Sequence, residues 1–276
     1  MIAMLVVLAF LTVVLGAMST GLLSEVKYVA LQHQYVTVQY VAQSGFETAC
    51  RELLNDETRF DALTDNWNGN TDLFSNIPVG EGVCEVSYPD ELTGETRYGV
   101  SDEERKINVN LADANVLKRL SPAFTDEIVG ALLKARSERP FATLDQMAAL
   151  PGMPQGFLDQ SRDEVAAGLR SVLTVYGDGR VNVNTAPAVV LAALPGVGPE
   201  NARKIVELRA TNGPLKSLGD VPAEIPLEKD LLKVSSEFFA IRAEGRLLQT
   251  NIVMTVRWFV QRNGDELALL GRERVL

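Results

Sequence analysis

The N-terminal part of the chain is predicted to be one long helix. Residues Met1–Leu23 are almost wholly apolar, and the first charged residue is Glu25. About 20 apolar helical residues cross the hydrocarbon of a bilayer. No proline interrupts the chain from there to Leu54, and small or apolar residues recur at helical spacing. A cleaved signal sequence would start with basic residues, and a buried core helix would keep a polar face. We therefore expect a transmembrane segment that continues into an amphipathic stem.

Alternating apolar and polar residues predict strands in two separated parts of the chain. The predicted strands are Gly82–Tyr88, Arg97–Val100, Glu237–Leu247, Asn251–Arg262 and Glu266–Val275. Asn263-Gly264, between the last two, is a strong hairpin signal. Residues 55–80 are rich in Asn, Asp, Thr and Gly, and we expect a loop there that is anchored by Trp67.

The middle of the chain has helical spacing and repeats itself. The segment Lys106–Asn110 (KINVN) has a near-repeat at Arg180–Asn184 (RVNVN). Asn182 corresponds to Asn108, so the offset between the two copies is 74 residues. Leucine and proline positions further along keep the same offset without gaps, which indicates a duplicated module.

The second copy predicts two helices joined by a tight turn. Asn184 is expected to cap a first helix that has Pro187 in its first turn and ends at Leu194. The turn is Pro195–Gly198, whose glycines can adopt positive φ, and the second helix is Pro199–Arg209. This pattern resembles the helix-hairpin-helix family. In the first copy Ser121–Phe124 replaces the turn, and both glycines are absent.

These patterns predict an α+β protein with a long N-terminal helix packed on an antiparallel sheet and an all-α insertion of two repeated modules. The predicted boundaries are 1–54 for the transmembrane and stem helix, 55–105 for the first part of the β domain, 106–175 and 176–235 for the two modules, and 236–276 for the closing strands.

Charge and composition exclude several function classes. The formal net charge is −10, with 36 acidic against 26 basic residues. Binding to the DNA backbone requires positive charge, so we expect no nucleic-acid partner although the second copy carries Arg203, Lys204 and Arg209. His33 is the only histidine, and the two cysteines have no metal-binding spacing. A zinc site or a Ser-His-Asp triad is therefore excluded, and we expect no enzymatic activity.

The order of these features resembles the K-type minor pseudopilins of bacterial type II secretion systems. The resemblance is carried by Asp102-Glu103 before Lys106–Asn110, by Val181–Pro187 before the hairpin, and by the strand Ser236–Phe239. It covers essentially the whole chain. One departure is Arg105, where the family often has glycine.

The resemblance implies a non-catalytic protein of the bacterial inner membrane, with one transmembrane helix and the globular part in the periplasm. Family members sit at the tip of a short pseudopilus with the I- and J-type minor pseudopilins, where the large insertion suits a cap that helps to initiate assembly for protein export. Prepilin peptidase is a further expected partner if a leader precedes Met1. The competing hypothesis is a membrane-anchored helix-hairpin-helix receptor for DNA uptake. Such a receptor should be basic and should end soon after the hairpin.

Two further sites are expected. Asp102, Glu103 and Glu104 offer hard oxygen ligands for a possible calcium ion, which is plentiful outside the cytoplasm; the alternative is a solvated acidic turn. The repeated asparagines are expected to cap or brace the following helices rather than to bind metal; they are Asn108, Asn110, Asn182 and Asn184. In an exported protein Cys50 and Cys84 can form a disulfide, whereas in a cytosolic protein they would be buried thiols.

Overall fold

The computed structural model describes residues 1–250 and 252–275, with the backbone alone at Thr20. The helices are α1 (Ile2–Leu54), α2 (Thr71–Phe74), α3 (Ala114–Leu120), α4 (Asp126–Glu138), α5 (Leu144–Ala148), α6 (Ala188–Ala193) and α7 (Gly198–Asn212). The strands are β1 (Ile77–Val79), β2 (Gly82–Pro89), β3 (Thr96–Tyr98), β4 (Ser101–Asp102), β5 (Ile107–Asn108), β6 (Leu173–Thr174), β7 (Val181–Asn182), β8 (Leu232–Lys233), β9 (Phe238–Leu247), β10 (Val253–Asn263) and β11 (Glu266–Val275).

Helix α1 is continuous over 53 residues and changes its environment along its length. Its first half is exposed, whereas Val38, Val41, Ala42 and Leu53 in the second half are buried against the sheet. Among the described side chains, the long apolar ones near the N-terminus are therefore left uncovered by the rest of the chain, whereas the amphipathic part packs on the globular domain.

The main sheet is antiparallel and draws its strands from both sides of the insertion. Its order is β1-β2-β9-β10-β11, with β3 paired to β2 and β4 paired to β9. Strand β9 therefore pairs with strands that precede the insertion and with β10, which follows it. Trp67 is fully buried and its ring meets that of Phe239 edge-on at 5.4 Å between centroids. The α+β prediction is confirmed, including the anchoring by Trp67, whereas α2 and β1 occupy part of the predicted loop.

The two inserted modules share one hydrophobic core that is separate from the core under α1. In each module the first strand pairs in parallel with the last strand, β5 with β6 and β7 with β8. Helices α3 and α6 occupy corresponding positions in the two modules and pack together. Arg119 Nε of α3 donates to the carbonyl oxygen of Ala193 at the end of α6, 2.7 Å away. The modules are thus held together by direct contacts as well as by the chain between them.

Details of the second module differ from the prediction. Asn184 does not cap α6; the residue before this helix is Pro187, which provides no side-chain bond. Helix α7 begins at Gly198 and continues to Asn212, one turn beyond the predicted end. Gly196 and Gly198 adopt φ of +79° and +70°, as the tight turn requires. Asn251, predicted as the start of a strand, lies outside the described residues.

Candidate functional site

The first functional feature is the exposed part of α1. Among the described residues this is the one helix that is long and apolar enough, by length and composition, to cross a membrane. Its most hydrophobic stretch is wholly exposed in the isolated chain. The exposed apolar side chains continue past Leu23 to Val26, Val29 and Val36, beyond the length that a bilayer needs. This surface requires a nonaqueous cover, either lipid or other helices.

The second feature is a buried polar junction where the chain leaves the sheet for the insertion and where it returns. Asp102, at the end of β4, is 1% exposed. Its carboxylate accepts hydrogen bonds from Thr185 Oγ1 at 2.6 Å and from Ser236 Oγ at 2.7 Å, as well as from the backbone N–H of Glu104. One carboxylate therefore connects the outgoing chain, the second module and the returning chain.

The two neighbouring glutamates make similar connections. Glu104 accepts from Lys233 Nζ at 2.5 Å and from the backbone N–H of Glu237 at 2.6 Å, both on the returning chain. Glu103 accepts from Lys106 Nζ at 2.5 Å and from Thr174 Oγ1 of β6 at 2.6 Å. Burial raises the pKa of Asp102 and of Glu104, because water is excluded from both carboxyl groups.

Asp61 and Arg262 form an ion pair at the side of the junction that faces the sheet, and both residues bind the returning chain at Ser236. Arg262 Nη2 lies 2.5 Å from Asp61 Oδ1 and also donates to the carbonyl oxygen of Ser236 at 2.9 Å. Asp61 accepts from the backbone N–H of Ser236 at 2.7 Å. Burial outweighs the attraction of the guanidinium and raises the pKa of Asp61 to about 7. Removal of either partner of a buried ion pair leaves the other group buried without compensation, so Asp61 and Arg262 depend on each other.

A second buried ion pair lies on the outgoing chain, at the position where the resembled family often has glycine. Arg105 Nη1 is 2.9 Å from Glu91 Oε1, and the guanidinium lies over the ring of Tyr88. Both charged side chains are less than 5% exposed. Arginine at this position is therefore part of the packing between the first strands and the insertion.

The arrangement at Asp102, Glu103 and Glu104 does not fit a calcium ion held by these three residues together. Each carboxylate faces different protein donors, and two of them already contact lysines. Among the described residues, the one group of three carboxylates whose oxygens converge is Asp56, Asp61 and Asp65. Arg262 lies among them, 3.8 Å from an Asp56 oxygen. The geometry instead gives the acidic residues a bracing role inside the protein, which differs from both interpretations of the sequence.

The repeated asparagines brace the modules in the same way in both copies. Asn110 Nδ2 donates to the carbonyl oxygen of Phe141 at 2.9 Å, and its Oδ1 accepts from the N–H of Phe141 at 2.8 Å. Asn184 makes the same two bonds with Leu215, at 2.9 and 2.8 Å. Asn108 and Asn182 each accept from the backbone N–H two residues later at 2.9 Å. The prediction that these side chains brace the modules agrees with this geometry, although the segment that Asn184 clamps follows α7 rather than starting α6.

Cys50 and Cys84, which could form a disulfide in an exported protein, are both free thiols in this structure. Cys84 Sγ lies directly against α1 at Gly45, in the space that a Cβ on this residue would need. Cys50 is five residues further along the helix, about 7.5 Å along its axis and on a different side. Burial raises the pKa of both thiols to about 12.

The basic residues of the second module are mostly engaged within the protein. Arg209 Nη1 donates to the carbonyl oxygen of Val183, and Lys204 lies 2.9 Å from Glu200. Arg203 donates to a backbone oxygen of its own helix. The charge of Lys204 is therefore balanced by Glu200 and the guanidinium of Arg209 is turned inward, whereas Arg203 stays exposed.

Comparison with known proteins supports the resemblance in two ways. The model of the family "Type II secretion system (T2SS), protein K" matches residues 107–168 and 181–242, which cover most of the two modules and the first part of β9. The structure is similar to a chain in the crystal structure of the GspK–GspI–GspJ complex from the enterotoxigenic Escherichia coli type 2 secretion system. The TM-score is 0.60 at 15% sequence identity, covering 90% of this chain and 99% of that chain. A comparison with curated proteins gave no match.

The family match and the structural likeness concern overlapping parts of the molecule. The first covers most of the inserted modules, and the second covers 90% of this chain. The inserted modules are thus similar to type II secretion system protein K, and the chain as a whole shares the fold of a chain of the GspK–GspI–GspJ complex.

Proposed function

We propose that this chain is a structural minor pseudopilin that caps the tip of a type II secretion pseudopilus and helps to initiate its assembly for protein export. The observation that carries the proposal is the combination of an exposed apolar stem with a large insertion that is clamped to the pilin-like sheet through buried carboxylates. The stem suits packing among other stems. The clamped insertion suits an end position, because it adds bulk that a repeating subunit would have to accommodate.

The proposed partners are the I- and J-type minor pseudopilins, and the proposed location is the bacterial inner membrane with the globular part in the periplasm. The similar crystal structure is that of a complex of GspK with GspI and GspJ, and the single candidate membrane helix suits one transmembrane pass. Prepilin peptidase is a further partner if a leader precedes Met1. The proposed role is non-catalytic. The one histidine of the sequence, His33, lies on the exposed stem, away from the polar junction.

The test of capping is removal of the insertion. A variant that lacks residues 106–235, with Arg105 joined to Ser236 by a short flexible linker, should still enter the membrane and associate with partner stems. Immunogold labelling of sheared pseudopili should then show label along the fibres, whereas the full-length chain with the same tag should be confined to one end. Label that stays at one end, at normal expression, would mean that partner specificity rather than bulk sets the position.

The second candidate is a membrane-anchored helix-hairpin-helix receptor for DNA uptake. It is favoured by the hairpin at Gly196 and Gly198, whose positive φ suits the tight turn of the helix-hairpin-helix pattern. Two observations oppose it: the net charge of −10 and the internal engagement of Lys204 and Arg209. Direct measurement of DNA binding separates the two functions.

A further inference from the structure

Strand β11 forms an edge of the main sheet, and its outward side is exposed. Within the described residues it pairs with β10 and with no other strand. The pairing is interrupted by a bulge, because Phe259 pairs with Gly271 and Val260 pairs with Leu269. Leu270 is left without a partner on β10. Leu269 and Leu270 are 59% and 42% exposed, which places two large apolar side chains at the bulge.

Two arginines lie next to these leucines on the face of the sheet that carries α1. Arg272 is opposite Trp258 and Arg274 is opposite Val256, and directly opposed residues share one face. Trp258 is buried beneath Phe46 of α1, with 4.9 Å between ring centroids. The two arginines therefore flank the stem helix. We call the four residues the edge patch: Leu269, Leu270, Arg272 and Arg274.

The charges of the edge patch have no partners within the described part of the chain. Neither Arg272 nor Arg274 has a carboxylate within 4.0 Å there, although both are exposed on a protein of net charge −10. The neighbouring Arg257, on the opposite face, is paired with Glu273 at 2.7 Å. Arginine is enriched at protein interfaces relative to the rest of the surface, and the fully buried centre of an interface is more apolar than its rim, so exposed leucines beside unpaired arginines fit such a site.

A lipid surface does not fit the height of the edge patch. The patch lies level with Phe46, and the apolar run of α1 ends at Leu23. At about 1.5 Å per helical residue the separation is about 35 Å. The headgroup region extends only about 5–8 Å beyond the hydrocarbon on each side. The cover of this patch is therefore protein.

We propose that the edge patch binds an acidic face of a pilin-like partner subunit that lies alongside α1. This inference rests on the proposed function, because the exposed apolar surface from Val26 to Val36 then packs against a neighbouring stem. A neighbour in that position carries its globular part next to β11. The bulge at Leu270 prevents an uninterrupted strand from pairing with the edge, so the contact is made by side chains. Carboxylates of the partner meet Arg272 and Arg274, and an apolar surface covers Leu269 and Leu270.

The test uses the full-length chain in detergent with the I- and J-type minor pseudopilins of the same secretion system. The affinity of the wild type and of the double variant Arg272→Glu/Arg274→Glu is measured at 50, 150 and 500 mM salt. The wild type should bind less tightly as salt rises, and the double variant should bind at least about ten-fold more weakly at 150 mM, with a weaker salt dependence. The variant Leu269→Ser should also weaken binding without any change of charge.

The matched control is Lys134→Glu/Lys229→Glu, which makes the same change of charge at two exposed lysines of the insertion. It should bind within about two-fold of the wild type, and the melting temperatures of all variants confirm that they fold. Equal weakening by both double variants would overturn the proposal in favour of a general charge effect. If the arginine variant and the leucine variant both bind with wild-type affinity, the edge patch is exposed to solvent in the complex and the proposal is overturned.

Three further outcomes are distinguishable. If the wild type binds neither pseudopilin, the proposed function fails and this inference fails with it. If the wild type binds them and the edge variants bind equally well, only the edge patch is refuted. Binding of the wild type to duplex DNA that is lost in the arginine variant would assign the patch to nucleic acid and overturn the proposal.

Discussion

At the scale of single residues, one asparagine in each inserted module holds a later segment of that module in place by two hydrogen bonds. Asn110 and Asn184 use both the oxygen and the amide of the side chain to hold the segment that follows α4 or α7. An amide side chain carries a donor nitrogen and an acceptor oxygen side by side, so it can bond the carbonyl and the N–H of one residue at the same time. An aspartate offers only acceptors, which explains why fewer residue types suit this position than suit an ordinary helix cap.

We expect Asn184→Ala to lower the free energy of unfolding by about 1–3 kcal/mol, because a buried carbonyl and a buried N–H lose their partner. Asn110→Ala should have an effect of similar size in the first module. Urea denaturation of the full-length chain measures both. The control is Asn66→Ala, an exposed asparagine, which should be within about 0.5 kcal/mol of the wild type. Equal stability of all three variants would contradict the bracing role.

The junction predicts a pH dependence that can be assigned to Asp61. The pKa of its carboxyl group is about 7 in the folded protein and ordinary in the unfolded chain, so the folded state binds more protons between these values. The contribution of Asp61 to the free energy of unfolding is therefore fully present at low pH and is lost as pH rises from about 4 to about 7. The free energy of unfolding should fall by at most about 1.4 kcal/mol per pH unit through this group.

The measurement is the difference in unfolding free energy between the wild type and Asp61→Asn, which stays neutral at every pH. This difference, wild type minus variant, should fall between pH 4 and 7. Exposed Asp72→Asn is the control and should show no such trend. A difference that rises with pH would mean that the ion pair with Arg262 outweighs burial and that the pKa of Asp61 is lowered.

At the scale of elements, the contact between α1 and β9 depends on glycine. A Cβ on Gly245 would lie 2.7 Å from the backbone nitrogen of Ala42 and 2.7 Å from the carbonyl oxygen of Val38. Both atoms belong to the helix backbone, so neither can move without moving α1. The absence of a side chain at this position lets helix and sheet approach closely enough to bury Val38 and Ala42.

We expect Gly245→Ala to destabilise the full-length chain by about 1–3 kcal/mol through overpacking. The control is Gly130→Ala in α4, where a Cβ meets nothing within 4 Å. That substitution should be neutral or stabilising by about 0.5–1 kcal/mol, because alanine is the better helix former. Thermal denaturation distinguishes the two. If both variants melt at the wild-type temperature, the close approach of α1 to the sheet is not required.

At the scale of the whole molecule, net charge and fold point to different functions. The hairpin geometry suits DNA, whereas the charge of −10 opposes a polyanion and the clamped insertion suits an assembly subunit. Electrostatic attraction dominates sequence-independent DNA binding, so the negative charge of the whole chain favours the assembly subunit over the DNA receptor.

We expect the full-length chain in detergent to show no salt-sensitive affinity for duplex DNA. Fluorescence anisotropy with a labelled duplex, measured between 50 and 200 mM salt, is the test. A variant in which Glu200 and Glu207 are replaced by lysine provides the comparison, since it adds positive charge to α7 without altering the hairpin. Micromolar binding by the wild type that weakens steeply with salt would favour the DNA receptor.

The sequence by itself determined the elements whose signals are local. The apolar run to Leu23, the turn glycines Gly196 and Gly198, and the hairpin before β11 each depend on neighbouring residues, and the structure has them where they were predicted. The repeat of the asparagines also predicted which side chains brace the modules.

Only the tertiary structure decided what the acidic residues and cysteines contact. Asp102 meets Ser236 across 134 positions of the chain, and Cys84 faces Gly45 rather than Cys50. No spacing in the sequence encodes such pairings, because the depth of burial and the donors around a carboxylate arise when distant segments pack together. For the same reason the acidic turn could be interpreted from sequence as a calcium site or a solvated loop, whereas packing makes it the buried link between sheet and insertion.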